Sequence, residues 1–120
     1  MPTVEELAAT AHASGTAYVE FLRVPSMSAG VYVLPVGGVD SQSPHSEDEV
    51  YYVVRGRARF RDGERERTIG GGDTLFVTAH RSHRFFAIEE ELLLLVVFAP
   101  PESDGPPSEP EAPESGEGRP

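Results

Sequence analysis

Residues 43–56 read SPHSEDEVYYVVRG, and the interpretation of the whole chain depends on this stretch. It places one histidine, His45, among three acids, and a run rich in valine and tyrosine then leads to Gly56. Valine and tyrosine are enriched in β-strands, so the stretch predicts a strand that begins near Glu49. Charge concentrated at the start of a strand indicates either a solvated loop or a metal site.

Alternation of side chains along a strand places Glu49 and Tyr51 on the same face. If the chain before the strand is also extended, His45 shares that face. A carboxylate on a buried face needs compensation, because an unpaired buried charge is very costly. A metal ion would supply that compensation, and so would an arginine such as Arg23 or Arg84.

The composition limits the classes of function that we expect. The chain has 120 residues, which is enough for one small domain with a single core. It has no cysteine, so thiolate metal sites and cysteine nucleophiles are excluded. The net charge of −10 argues against nucleic acid and anionic membranes as partners. We expect no signal peptide and a cytoplasmic protein.

The chain divides by composition into three parts. Residues 1–16 are predicted to form a helix and a linker, because Thr3 and Glu6 fit a capping box and Gly15 follows as a stop. Residues 17–100 are predicted to form the folded domain. Residues 101–120 contain proline, glutamate, serine and glycine almost alone, and we expect them to be a disordered acidic tail.

Short strands dominate the middle part. Runs of β-branched and aromatic residues cover residues 17–24, 29–36, 49–61, 67–79, 83–90 and 91–99. Asp62-Gly63 and residues 70–73 are predicted turns between them. Because no helical period separates the strands, the fold class is all-β, an antiparallel sandwich or barrel whose mouth can hold a small ligand.

Two glycine-bounded patterns make the assignment more specific. Their fixed positions are Gly37, His45, Glu49 and Gly56 in the first pattern and Gly72 and His83 in the second. The patterns resemble the two motifs of the cupin superfamily, and most closely the small bacterial single-domain cupins with PHxEDEVYYV in the first motif and LLVVFAP in the last strand. The resemblance covers residues 17–100.

The resemblance implies a small β-barrel of the jelly-roll type around a divalent metal, usually held by three histidines and one glutamate. Transferred to this chain, the metal ligands are His45, Glu49 and His83, a set suited to Fe, Mn, Zn or Ni. Ser43 stands where the remaining histidine is expected. Glu47 either replaces that ligand or is an exposed loop acid, and we favour the loop acid.

Other departures from the motifs affect the second pattern. Thr78, His80 and Ala87 replace the usual proline, glycine and asparagine. His80 is a plain turn residue, an acid–base group or an additional ligand. We take His80 and Tyr51 as the candidate catalytic residues, since Tyr51 is predicted to point into the barrel.

The resemblance implies three possible functions for this chain. It is a metal-dependent enzyme of the dioxygenase, decarboxylase, isomerase or lyase type, a non-catalytic small-molecule-binding protein, or a structural cupin. A small-molecule ligand is expected in the first two cases. The run Leu92–Leu95 is apolar on both faces of its strand, so we also predict a homodimer with one face buried between subunits.

Overall fold

One helix and six strands make up the computed structural model, which describes residues 1–40 and 44–103. The elements are α1 (Val4–Ser14), β1 (Tyr18–Val24), β2 (Met27–Leu34), β3 (Asp48–Asp62), β4 (Arg65–Gly70), β5 (Thr74–Val77) and β6 (His83–Ala99). All strand pairs are antiparallel. The predicted all-β fold with a short N-terminal helix is therefore confirmed. Most of the predicted tail, from residue 104 onward, lies outside the described residues.

Helix α1 has the predicted capping box. The Thr3 hydroxyl accepts a hydrogen bond from the Glu6 amide at 3.0 Å, and the Thr3 amide donates to the Glu6 carboxylate at 2.8 Å. At the other end, Gly15 adopts the left-handed conformation with φ of 73°. These contacts satisfy amides and carbonyls that have no partner within the helix.

Strand β6 lies at the centre of the sheet, whose order is β1-β2-β6-β3-β4 with β5 paired to β3. Its 17 residues form one continuous strand, although the sequence predicted two strands, 83–90 and 91–99. Residues 67–79 contain the end of β4 and all of β5, with the predicted turn of residues 70–73 between them. Gly72 makes that turn possible, because its φ of 96° is unfavourable for other residues.

A bulge at Gly56 bends the long strand β3. The pairing with β6 shifts in register on both sides of this residue, whose φ is 110°. The inward residues accordingly change from odd numbers, such as Tyr51, to even numbers, such as Phe60. Gly56 therefore lies inside the strand and does not end it.

Two apolar clusters stabilise the fold. The larger fills the space enclosed by the strands and includes Tyr51, Phe60 and Phe85. The smaller lies between α1 and the outer face of β2 and β6, where Leu7 packs with Leu93. The helix thus covers part of the β6 face that the sequence assigned to a dimer interface.

No helix among residues 1–40 and 44–103 is long and apolar enough to cross a membrane.

Candidate functional site

The structure brings Glu49, Tyr51 and His83 together inside the fold. Glu49 and Tyr51 lie on the inward face of β3, as the alternation predicted, and His83 is the first residue of β6. The Tyr51 hydroxyl lies 3.1 Å from His83 Nε2, and Glu49 Oε1 lies 3.2 Å from the same nitrogen. Glu49 and Tyr51 are 1% and 0% exposed, so this contact is shielded from water.

The orientation of the His83 ring is fixed by a backbone group. His83 Nδ1 lies 2.9 Å from the Arg81 carbonyl oxygen, which can only accept, so Nδ1 carries the proton. Nε2 therefore points toward Tyr51 and Glu49. Burial disfavours the charged imidazole, but the Glu49 carboxylate and the Arg81 carbonyl stabilise it more strongly. The net result is that the pKa of His83 is raised.

Neither arginine considered for Glu49 lies beside it. Arg23 binds Glu20 at 3.0 Å and donates to the Glu102 carbonyl at 2.9 Å, while the Arg84 guanidinium lies 5.5 Å from the Phe86 ring centre. The nearest charge partner of Glu49 within the described chain is His83. His83 Nε2 lies 3.2 Å from Glu49 Oε1, but the angle of this contact does not suit a hydrogen bond. Neither oxygen of the Glu49 carboxylate therefore has a hydrogen-bond donor within the described chain.

His45, the third predicted ligand, is buried beside this group. Its ring centre lies 6.2 Å from that of His83 and 5.1 Å from that of Phe98. Its Nε2 atom is buried and has no hydrogen-bond partner among the described residues. Its Nδ1 atom lies 3.9 Å from a Glu102 oxygen and 4.0 Å from a Glu47 oxygen.

The donors fit a metal ion in part. Two ligands about 2.1 Å from one ion, at right angles, lie about 3 Å apart. The 3.2 Å between His83 Nε2 and Glu49 Oε1 matches that separation. However, no three His, Asp or Glu side chains in residues 1–40 and 44–103 are grouped so that they could hold a metal ion. His45 is thus near the pair but is not in place as a third ligand.

Glu47 is buried, so its interpretation as an exposed loop acid was wrong. It is 3% exposed, and its Oε2 atom accepts hydrogen bonds from the Ser103 amide at 2.9 Å and the Ser46 hydroxyl at 2.7 Å. Burial alone would raise the pKa of Glu47, but these hydrogen bonds outweigh it and the pKa is lowered. Ser43, where a histidine was expected, lies outside the described residues.

Glu102 is a buried acid that sequence reasoning missed, because it was placed in the predicted tail of residues 101–120. Its amide donates to Ser28 Oγ at 2.9 Å, and its side chain is 1% exposed. Residues 101–103 therefore pack against the barrel, three residues beyond the predicted end of the domain at 100. The composition of this segment gave no indication of the contact.

His80, a candidate catalytic residue, is an exposed residue of the turn before β6. Its φ of 68° is the left-handed conformation, which suits a position that the resemblance assigns to glycine. Its amide donates to the His45 carbonyl. The backbone of His80 therefore holds the loop that carries His45, while its side chain faces solvent.

Asp40 is a second buried acid that the sequence did not single out. One of its oxygens accepts from the Tyr32 hydroxyl at 2.9 Å and the other from the Phe85 amide at 2.8 Å. Burial and the Asp40 carboxylate together raise the pKa of Tyr32. These bonds tie the segment after β2 to the start of β6.

Comparisons with known proteins agree with this fold. An uncharacterized protein of Streptomyces coelicolor is 46% identical over 100 residues, which are 83% of this chain and 95% of the relative. The solved structure of an RmlC-like cupin from Shewanella frigidimarina matches with a TM-score of 0.67 at 21% identity, over 72% of this chain and 78% of that one. The structure of KdgF from Halomonas sp. matches with a TM-score of 0.66 at 24% identity, over 72% and 80%.

The family model for the cupin domain matches residues 30–98, which include β3 and nearly all of β6. This match covers more than half of the 120 residues, and the buried Glu49 and His83 both lie within it. The chain therefore belongs to the cupin domain family.

Proposed function

We propose that this protein is a metal-binding cupin that acts on, or binds, a small molecule inside its barrel. The observation that carries the proposal is the Glu49 carboxylate, which is 1% exposed and has no donor with hydrogen-bond geometry in the described part of the chain. Such a carboxylate is costly to bury without a cation. A divalent ion beside His83 Nε2 would compensate it directly.

Glu49, His83 and His45 are the proposed ligands. His45 would become the third ligand if its ring moved toward the other two. Its Nε2 atom is buried and has no hydrogen-bond partner among the described residues, so coordination of a metal would satisfy it. Two imidazoles and one carboxylate suit Fe, Mn, Zn or Ni and leave positions open for a ligand. The metal would supply Lewis-acid polarisation of an oxygen atom of the bound molecule. Dioxygenase, decarboxylase, isomerase and lyase chemistry are all compatible with that role.

Tyr51 is the proposed proton-bearing group of the site. Its hydroxyl lies 3.1 Å from His83 Nε2 on the inward face of β3, so a molecule bound at the ligands would lie within its reach. His80 remains a candidate acid–base group at the mouth. Its exposed side chain fits that role only if a bound molecule extends to the turn before β6.

The test is the metal content of the purified protein, measured by elemental mass spectrometry after reconstitution with Fe(II), Mn, Zn and Ni in turn. We expect about one equivalent of at least one metal in the parent chain, and loss of that metal in Glu49→Gln and His45→Ala. His12→Ala is the matched control, because His12 is an exposed histidine outside the site. Metal that persists in Glu49→Gln would refute the ligand assignment.

A non-catalytic binding or structural cupin is the second candidate. It is favoured by the Glu49–His83 contact itself, because a protonated His83 compensates the carboxylate without any metal. In that case the parent chain would stay free of metal under every reconstitution condition, and Glu49→Gln would change stability alone.

We also propose a homodimer in the cytoplasm. The supporting feature is an apolar patch on the outer face of β3 and β5, where Val50 and Phe76 are paired and Tyr52 lies two residues along. Their exposed fractions are 42%, 57% and 41%, which is high for residues of this size and type. Light scattering should give twice the mass of the chain. A monomer at millimolar concentration would contradict the proposal.

A further inference from the structure

A cavity of about 490 Å³ opens beside β4 and β5, away from the cluster of Glu49, His83 and His45. Its lining is formed by Phe60, Asp62, Arg65, Glu66, Arg67, Thr74, Leu75 and Phe76. Sites for small molecules typically have volumes of about 300–1,000 Å³, with apolar walls and a few polar groups. The volume lies in that range, and the lining is more polar than usual, with three apolar side chains beside two arginines, two acids and Thr74.

The two arginines are unusual in this protein. All ten basic residues are arginines, and nine of them lie in the described residues. Most of these nine lie within 4.0 Å of a carboxylate. Within residues 1–40 and 44–103, the side chains of Arg65 and Arg67 make neither an ion pair nor a hydrogen bond, although the chain carries twice as many acids as bases. Arg84 also lacks a carboxylate partner, but it lies over the Phe86 ring.

The strand register directs both arginines to the cavity. Arg67 is paired with Phe60 and Arg65 with Asp62, so each lies on the same face of the sheet as its partner. Phe60 is 3% exposed and belongs to the main core, which identifies this face as the inward one. The two guanidinium groups therefore extend from the side of β4 that leads into the barrel.

The carboxylates of the cavity do not neutralise these arginines. Asp62 is held by Arg81, and Glu66 is held by Arg61 at 2.7 Å. Each acid thus already has its own cation. The charge left over in the cavity is that of Arg65 and Arg67, above an apolar floor of Phe60 and Leu75.

We propose that this cavity binds a small organic carboxylate with an apolar or aromatic body. The guanidinium fork matches a carboxylate in a bidentate arrangement, and the body would pack on Phe60 and Leu75. The site goes beyond the proposed metal function and requires no metal. It is connected to that function by Phe60, whose ring centre lies 6.2 Å from those of both Tyr51 and His83.

The experiment compares two probes that differ in charge alone, 4-phenylbutyrate and its neutral amide, 4-phenylbutanamide. Each is titrated into the full ¹⁵N-labelled chain in EDTA, and amide shifts are followed by NMR. We expect saturable shifts at the backbone amides of Phe60, Leu75 and Phe76. We also expect the carboxylate to bind roughly tenfold or more tightly than the amide, because charge-assisted hydrogen bonds are lost with the charge.

The variants identify the source of that preference. The double variant Arg65→Gln/Arg67→Gln should bind both probes equally. Arg84→Gln is the matched control, since it removes one exposed arginine that also lacks a carboxylate partner but lies outside the cavity. It should keep the tenfold preference. Equal affinity of the parent for both probes, an equal loss in Arg84→Gln, or shifts that do not saturate would each overturn the proposal.

Because the titration is done without metal, its result is separate from that of the metal analysis. A parent chain that binds metal but shows no preference for the carboxylate would remove this inference and leave the proposed function intact. The opposite result would leave a carboxylate-binding cupin without a metal centre.

Discussion

Residues 101–103 can be tested for their role by comparing two deletions. A chain that ends at Pro100 loses at least four hydrogen bonds, in which Ser28, Arg23, Glu47 and Ser46 take part. Each bond contributes about 0.5–1.5 kcal/mol net, so the gross loss is about 2–6 kcal/mol. Arg23 and Ser103 are exposed, so water replaces part of their hydrogen bonds after the deletion. We therefore expect a loss near the lower end, about 2 kcal/mol.

The control is a chain that ends at Ser103, which keeps these four bonds and removes only residues 104–120. Urea unfolding followed by circular dichroism measures both deletions against the full chain. With a urea slope of about 1.5 kcal/mol per molar for a domain of this size, the deletion to Pro100 should lower the midpoint by about 1 M or more. The deletion to Ser103 should leave it nearly unchanged. Equal midpoints for the two deletions would refute the structural role of residues 101–103.

Two further predictions concern the backbone at Gly56 and the buried contact between Glu49 and His83. Gly56→Ala should lower the free energy of unfolding by about 3 kcal/mol or more, since its φ is 110° and an added Cβ would lie 2.3 Å from the Glu91 carbonyl oxygen. Gly15→Ala is the control, because Gly15 has φ of 73° but no atom lies within 4 Å of the added Cβ. It should lower the free energy of unfolding by only about 1–2 kcal/mol. An equal loss in the two variants would contradict this account. Because the pKa of His83 is raised in the folded state, the charged His83 adds to the free energy of unfolding. This contribution is complete below about pH 6.5 and is lost as the pH rises through the folded-state pKa. Urea unfolding in EDTA should show this fall in the parent and a smaller one in Glu49→Gln, and identical pH profiles would rule out the pair as its source.

The sequence predicted those features of the fold that depend on neighbouring residues. The capping box at Thr3 and the inward position of Glu49 and Tyr51 follow from local periodicity, and the structure has them. The turn at residues 70–73 between β4 and β5 also follows from local residue types. The continuity of residues 83–99 as one strand was not predicted, because it depends on how β6 pairs with β2 and β3, which local patterns do not contain.

The buried acids show why the candidate site was predicted only in part. Glu47 contacts Ser103 across 56 residues of chain, and the Glu102 amide reaches Ser28 across 74. Local composition does not indicate either contact. Glu47 was therefore assigned to an exposed loop and Glu102 to a disordered tail. Glu49 was placed correctly because it lies inside a strand, where alternation alone determines its face.

The position of β6 in the sheet has a consequence for the order in which the protein forms during synthesis. β6 pairs with both β2 and β3, yet it is the last of the described strands to leave the ribosome. Until β6 is synthesised, β2 in the β1–β2 hairpin and β3 in the β3–β4 hairpin each lack the strand that pairs with them in the folded sheet. The two hairpins are joined only when β6 pairs with both, so completion of the sheet is a late and cooperative event that depends on long-range pairing. A nascent chain stalled before residue 83 would present β2 as a free edge for pairing with another chain.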